Sequence, residues 1–586
     1  MFTVFIQAFL ETTLIFVLLG ILALAAIAAV VWYVLRTGSP KGHVIVIGLS
    51  RPGRQVALSL AKAGRKVVVL SDEPSNPDAA LIRQRGGTVY TGTGFDEALI
   101  RQAGLAHAAI VFIATDNDDA NIKLAHFISG LRKRQRSNQP LRIMLQIGDE
   151  ELESFVEDYL DVSGQTMVDV QTFNMDSITA QYVYDQFPPH QYLIDSTAKN
   201  TEKIICVIGS NATAKAFVIE NSILSQYGDA GNLKIFLITE RAETFLKSIK
   251  KQYPNIESFV NLVPIELLNE RFSGKLDWDL KFTGAIQSID AVYFFGDRDP
   301  ALINSAIHLR QFLYDKTENI RAIPIIVCLP EATKVLSMLD EENQFTKRQT
   351  LGEKLKEQVV IHLVRKYSDT CTVKRMVDGL EEKEILAKIV NYYYAVKYEF
   401  DGLLFTHFKK SGNSELLKRL DAGIIGFKVK KGDPLAQIEQ MVVDFIKEYT
   451  KNSADKVRSI FGIHVLWNNL TDRKKDSNRY LARHLDIKLF ILKERGVKKL
   501  DKETLSAHVK FLAPIEHKRW TAEKLAFNFS YGKLPATDKN LKKILKDTLK
   551  IHDQLVPFDK LNAVNQDKDL DMFFLIPLMQ KIKENI

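Results

Sequence analysis

His43-Val44-Ile45-Val46-Ile47-Gly48-Leu49-Ser50-Arg51-Pro52-Gly53 reads as an apolar strand, a glycine turn and the start of a helix that runs through Ala63. Gly48 permits the tight turn, Gly53 lets the helix pack close to the strand, and the first-turn amides can cradle an anionic phosphate. Ser50 replaces the usual middle glycine, and its Cβ narrows the approach of a pyrophosphate. A second strand, Lys66 to Leu70, ends in Ser71-Asp72 and so offers a carboxylate to a ribose, one place beyond the usual position. Together these pieces predict a doubly wound α/β sheet.

Working outward, the pattern continues with Val89-Tyr90-Thr91-Gly92-Thr93, then Leu99 to Leu105. A buried-type strand from Ala109 to Ala114 follows and leads into Thr115-Asp116-Asn117-Asp118-Asp119-Ala120-Asn121. In this order, over roughly residues 43 to 190, the series resembles the TrkA-N domain, a Rossmann-like module of potassium channels and transporters. Gly92-Thr93 stands where that family usually has Gly-Asp. The resemblance implies binding of NAD(H) or an adenine nucleotide, with Gly48, Ser50, Arg51, Gly53, Asp72, Thr115 and Asp116 as the cofactor-binding set. The competing reading is a scaffold that binds no nucleotide.

A second unit repeats the first at a spacing of about 160 residues, a length typical of tandem domains. Lys203 to Ile208 is its first strand, followed by Gly209-Ser210-Asn211-Ala212-Thr213-Ala214 and a helix. Further strands are expected at Lys234 to Ile238, Phe259 to Val263, Ala291 to Phe295 and Ile325 to Leu329. Ala214 occupies the place of the last glycine, which marks a degenerate copy, a packing or dimerisation partner before a second nucleotide site. Beyond it the pattern mixes helix and loop, with an apolar strand at Val359 to Val364. Glu382 to Phe400 is a helix carrying Ile385, Ile389, Tyr392, Tyr393 and Val396 near one face, and residues 401 to 455 are charged and weakly patterned.

The chain has 586 residues and a formal charge of +8, with 79 basic and 71 acidic residues mixed along it, so no direct binding to a DNA or RNA duplex is expected. Cys206, Cys328 and Cys371 are far apart and lack metal-ligand spacing, which argues against disulfides and a metal site. Thr12 to Leu35 is an uncharged run of about 24 residues, long enough to span a bilayer. Met1 to Leu10 lacks the basic residues of a cleaved signal. Arg36, Lys41, Arg51 and Arg54 follow the run. A single-pass anchor in the inner (cell) membrane is therefore expected, with the N-terminus outside and the bulk of the chain in the cytoplasm.

The C-terminal stretch carries short groupings in fixed order: Trp467-Asn468-Asn469-Leu470, Ser477-Asn478-Arg479, Leu485-Asp486-Ile487-Lys488-Leu489, Glu516-His517-Lys518-Arg519-Trp520, Tyr531-Gly532, Leu555-Val556-Pro557-Phe558-Asp559 and Asp567-Lys568-Asp569. From Trp467 to Pro577 these resemble the RyR domain, the repeated module of ryanodine receptors. Aromatic faces with cations suit a nucleobase and its phosphate. The candidate ligand set is Trp467, Asn478, Arg479, Arg483, Lys488, His517, Arg519, Trp520, Lys524 and Tyr531. The same tryptophans also fit an ordinary core, and a His beside a Glu fits a pair that pins two helices. Helical spacing puts Leu541, Ile544, Leu545, Thr548 and Leu549 on one face. Lys539, Lys542, Lys543, Lys546 and Lys550 fall on the other, either a solvated surface or an anion-attracting rim.

The expected architecture is α/β. It has a transmembrane anchor (1–36), two tandem Rossmann-like doubly wound domains (42–195 and 200–345), a linking segment (346–455) and a mainly helical RyR domain (456–586). No catalytic constellation is visible, so an enzyme is not expected. In bacteria this combination resembles proteins of nucleotide-signalled conflict systems. That resemblance implies a homo-oligomeric effector in the lipid bilayer that answers a nucleotide or cyclic nucleotide by changing ion permeability, with anti-phage defence as one setting. The alternative is an NAD(H)- or adenine-nucleotide-responsive regulatory subunit of a potassium channel or transporter. A weaker third reading is an NAD-dependent oxidoreductase.

Overall fold

The computed structural model describes residues 42–585 apart from 74–75, 136–139, 161–167, 193–201, 229–232, 268–287, 319–322, 331–355, 357–358, 380, 400–418, 421, 450–452 and 536. The anchor expected at 1–36 lies outside the described residues. Among those described, no helix is long and apolar enough to cross a membrane.

The chain divides into two compact units, Met1–Leu145 with Thr166–Val170, and Gln146–Gln165 with Gln171–Ile586. In the first, β1 (Val44–Ile47), β2 (Val67–Ser71), β3 (Thr88–Thr91), β4 (Ile110–Ile113) and β5 (Leu141–Gln146) alternate with helices α1 (Arg51–Lys62), α2 (Pro77–Gln84), α3 (Glu97–Gln102) and α4 (Asp118–Arg134). The sheet order is β3-β2-β1-β4-β5, with β6 (Val168–Phe173) at the edge beyond β5. β1 and β4 are apolar throughout and β2 is apolar as far as Leu70, and all three are buried along their whole length, as parallel strands covered on both faces require. Pro52 in the first turn of α1 fits a position whose N–H has no intrahelical partner. Side chains of Asn76, Asp96 and Asn117 cap α2, α3 and α4.

The second unit holds α5 (Glu150–Leu160) and α6 (Met175–Gln186), then β7 (Lys203–Ile208), α7 (Ala212–Leu224), β8 (Leu233–Thr239), α8 (Ala242–Gln252) and β9 (Asn261–Glu266). β10 (Ile289–Phe295), α9 (Asp299–Thr317), β11 (Ile325–Leu329) and β12 (Ile361–Arg365) follow. Its strands are all parallel in the order β12-β11-β10-β7-β8-β9. The apolar run expected as part of the linking segment is therefore the sixth strand, paired along β11 from Ile325↔Ile361 to Leu329↔Arg365. One sheet face packs on Leu302, Ala306, Leu309 and Leu313 of α9.

On the other face, Ile205, Val207, Leu237 and Tyr293 join α6, α7 and α8 in a core that continues without a break into the C-terminal helices. Those are α10 (Glu382–Tyr394), α11 (Pro434–Tyr449), α12 (Ala454–Phe461), α13 (Ile463–Asn468), α14 (Asp472–Arg483), α15 (Leu485–Glu494) and α16 (Lys502–Ala526). α11 falls in the stretch that reads as weakly patterned. Its Leu435, Ile438, Val442, Val443 and Ile446 are nonetheless buried at helical spacing, and the charged flanks conceal that stripe. A two-strand pair, β13 (Ser530–Tyr531) with β14 (Ile551–His552), and helices α17 (Lys539–Lys543), α18 (Ala563–Asp571) and α19 (Ile576–Asn585) complete the chain.

Candidate functional site

In the first unit the strand order reverses between β1 and β4, and the Gly48 turn lies at their carboxyl ends, where open α/β sheets bind ligands. The Gly48 N–H donates to Leu70 O at 2.9 Å. With φ at +90°, a Cβ on Gly48 would stand 2.6 Å from Ala114 O. A Cβ on Gly53 would stand 2.4 Å from Gly48 O, so the helix start and the turn touch backbone to backbone. Ser50 is buried at the N-cap of α1 and its side chain makes no capping bond to the helix amides, while Arg51 is exposed in the first turn. Asp72 is exposed just past β2, and Asp116 is exposed just past β4.

Thr115 is held in place: its N–H and its hydroxyl both donate to Asn121 Oδ1, at 3.0 and 2.5 Å. All seven cofactor candidates thus belong to the carboxyl edges of β1, β2 and β4. Asn121, fully buried on α4, is a positioning residue that sequence pattern alone does not single out.

The second turn is built alike and finished differently. Gly209 has φ at +116°, and a Cβ there would come within 1.9 Å of Phe295 O. Here, however, Asn211 Oδ1 takes the N–H of Ala214 at 3.0 Å, and Asn211 Nδ2 donates to Asp297 Oδ1 at 3.3 Å. Deeper at the start of α7, the Thr213 hydroxyl donates to the Asp176 carboxylate, which also takes the Lys366 ammonium at 2.6 Å. An anion would meet two carboxylates at this helix start.

The C-terminal candidates separate into two sets. Arg479 donates twice to Glu384, at 2.8 and 3.0 Å, and once to Asp476 at 2.8 Å, with its guanidinium 5.6 Å from the ring of buried Trp467. Arg483 pairs with Asp185 at 2.8 Å and with Glu220, joining α14 to α6 and α7. Lys488 meets Glu516 at 2.6 Å, and Arg519, 1% exposed, bridges Glu516 at 2.9 Å and Glu523 at 2.7 Å. Burial alone would raise the Glu516 carboxyl, but Arg519 and Lys488 hold it well below the usual range. Asn478 donates to Lys474 O at 2.9 Å. The four cations Arg479, Arg483, Lys488 and Arg519 are therefore committed to carboxylates of the fold, a role that the reading of them as a ligand clamp did not include.

The second set lies along α16 and β13, with His517 buried, Trp520 and Lys524 half-buried and Tyr531 at the surface. His517 lies 3.2 Å from Asp569 Oδ2 and 2.7 Å from Val556 O, and stacks on Trp520 with ring centroids 5.6 Å apart. Trp520 meets His552 edge-on at 4.9 Å, and Lys524 Nζ lies 5.8 Å from its ring. Lys524 also bonds Ser477 and Glu523, each at 2.8 Å. Tyr531 is exposed. Burial, then the charges of Lys546, Lys524, Lys568 and Lys542, push His552 down to about 3. The helix at 539–548 is thus turned opposite to expectation. Lys542 and Lys546 are half-buried toward His552, while Leu541, Ile544 and Leu549 point to solvent. Helical spacing identified the two faces, but the side facing the body was decided by β13, β14 and α16. Among the described residues no cluster of three or more metal-ligating side chains occurs.

Residues 44–159 match the TrkA-N domain. Over 80 residues the chain is 31% identical to the Trk system potassium uptake protein TrkA of Streptomyces coelicolor, a stretch that is 14% of this chain and 35% of that protein. The chain therefore spans about a third of that relative's length. Solved structures with some likeness include GsuK bound to ADP (13% identity, TM-score 0.31, 57% of this chain and 68% of that one). The GsuK RCK domain (11%, 0.33, 60% and 79%) and the human SLO3 gating ring (8%, 0.31, 56% and 80%) are two more. The TrkA-N match covers the Gly48 turn, Asp72 and Thr115-Asp116, and leaves the Gly209 turn and the C-terminal helices outside.

Proposed function

We propose that this chain is a nucleotide-responsive regulatory protein whose TrkA-N domain takes NAD(H) or an adenine nucleotide at the Gly48 turn. The observation that carries this is that Ser50, at the N-cap of α1 beside the tight Gly48 turn at the switch point, makes no side-chain capping bond to the first helix amides. Asp72, past β2, is the acceptor for a ribose hydroxyl, and Arg51 adds positive charge at the phosphate end. The TrkA relative supports potassium transport as the regulated process. The Trp520–Lys524–His552 cluster, ringed by Lys542, Lys546 and Lys568, supports a second anionic ligand in the C-terminal helices, which we assign to an RyR domain. With an anchor at 1–36, homo-oligomerisation on binding would bring the anchors together at the inner membrane and alter ion permeability, by itself or through a transport protein, and anti-phage defence is one setting for such a response. A ligand drives this only through unequal affinity for two states.

Calorimetric titration of the full chain with NADH, ATP, ADP, ADP-ribose and cyclic oligonucleotides tests the proposal. Arg51→Glu, at an exposed site beside the phosphate end, should weaken binding at the first turn about tenfold or more, equal to about 1.4 kcal/mol. Binding lost in Trp520→Ala and kept in Arg51→Glu would move the site to the C-terminal helices. Absence of binding by every ligand would overturn the reading.

A further inference from the structure

Eight large apolar side chains are well exposed among the described residues, and four of them, Tyr531 (57%), Leu541 (44%), Ile544 (52%) and Leu549 (57%), fall within one short stretch. Leu541 and Ile544 share the outward side of the helix at 539–548, and Leu549 closes its end. Residues 533–550 contain six lysines (533, 539, 542, 543, 546 and 550) against Asp538 and Asp547, a net charge of +4. Lys533 and Lys543 are exposed, and Lys542 and Lys546 are half-buried toward His552. Exposed apolar side chains grouped on one helix, as Leu541, Ile544 and Leu549 are, mark an interaction site.

We infer that Leu541, Ile544 and Leu549, with the lysines exposed beside them, are a peripheral docking face for an anionic lipid bilayer. The exposed Lys533 and Lys543 can reach lipid phosphates while Leu541, Ile544 and Leu549 enter the acyl boundary. A second copy of the same face is disfavoured by charge, because two surfaces of net +4 would be opposed. An anionic leaflet has the opposite sign and attracts such a segment within a Debye length.

Thr548 is exposed on this helix, while Cys206, Cys328 and Cys371 are all buried, so an environment-sensitive fluorophore on Thr548→Cys reports the face alone in the full chain. Its emission should shift to the blue with vesicles containing phosphatidylglycerol and not with phosphatidylcholine alone, and high salt should reverse the shift. Replacing the exposed trio, Leu541→Asp, Ile544→Asp and Leu549→Asp, should reduce partition at least about tenfold. Equal emission with both vesicles would overturn the inference. So would a shift that follows protein concentration without lipid, which would assign the face to a second copy. Emission already blue before lipid is added would assign it to a segment of the same chain and would overturn the inference as well.

Discussion

The turns after β1 and β7 share a glycine at positive φ, Gly48 and Gly209, each pressed on a carbonyl of the neighbouring strand, Ala114 or Phe295. They differ in what stands at the helix start. Ser50 offers no capping bond in the first, whereas Asn211 caps its helix and is tied to Asp297 in the second. The glycine thus belongs to strand-turn-helix sterics in both units, and the two turns differ in the side chain at the N-cap.

The largest effect that would break this comparison is steric. Gly209→Ala should cost about 3 kcal/mol or more in unfolding free energy by calorimetry, and Gly48→Ala somewhat less, because its clash is at 2.6 Å and not 1.9 Å. A harmless Gly209→Ala would show that the glycine there serves something other than packing.

Acid should expose a second difference, since the second unit rests on buried ion pairs. His484 is fully buried between Gln226 O and Glu516, and burial pushes it down to about 4 from 6.5. The unfolded chain then takes up the proton first. The contribution is complete above pH 6.5 and is lost as pH falls toward 4, on the order of 3 kcal/mol. Thermal melts across that window should show the second unit's transition falling, and His484→Asn should flatten the slope. The smallest effect is the cap itself: Asn211→Ala should cost about 1 kcal/mol by denaturant unfolding, without changing nucleotide affinity at the first turn.

Much of the fold was legible in the sequence. The apolar strands of both sheets, the two glycine turns and their spacing follow from local rules, because a buried parallel strand and a tight turn each constrain residue type on their own. The cofactor candidates at Gly48, Asp72 and Thr115 could be grouped for the same reason: doubly wound topology brings strand ends together. Asn121 could not be found this way, since a helix asparagine reads as surface until its partner Thr115 is placed. β12 was visible as a strand and misassigned to the link, because nothing local tells an apolar run which sheet edge it will join.

In the C-terminal helices the sequence determined which residues are charged, aromatic or apolar, and it determined the helical faces. Only the tertiary structure decided their partners. Arg483 meets Asp185 across 298 positions and Arg479 meets Glu384 across 95. Lys542 and Lys546 turned toward His552 of β14, while Lys543 stayed exposed. Helix periodicity is a property of neighbouring residues, whereas ion pairing and the choice of buried face depend on which surfaces a packed core brings together. An isolated chain segment therefore carries the pattern without its sign.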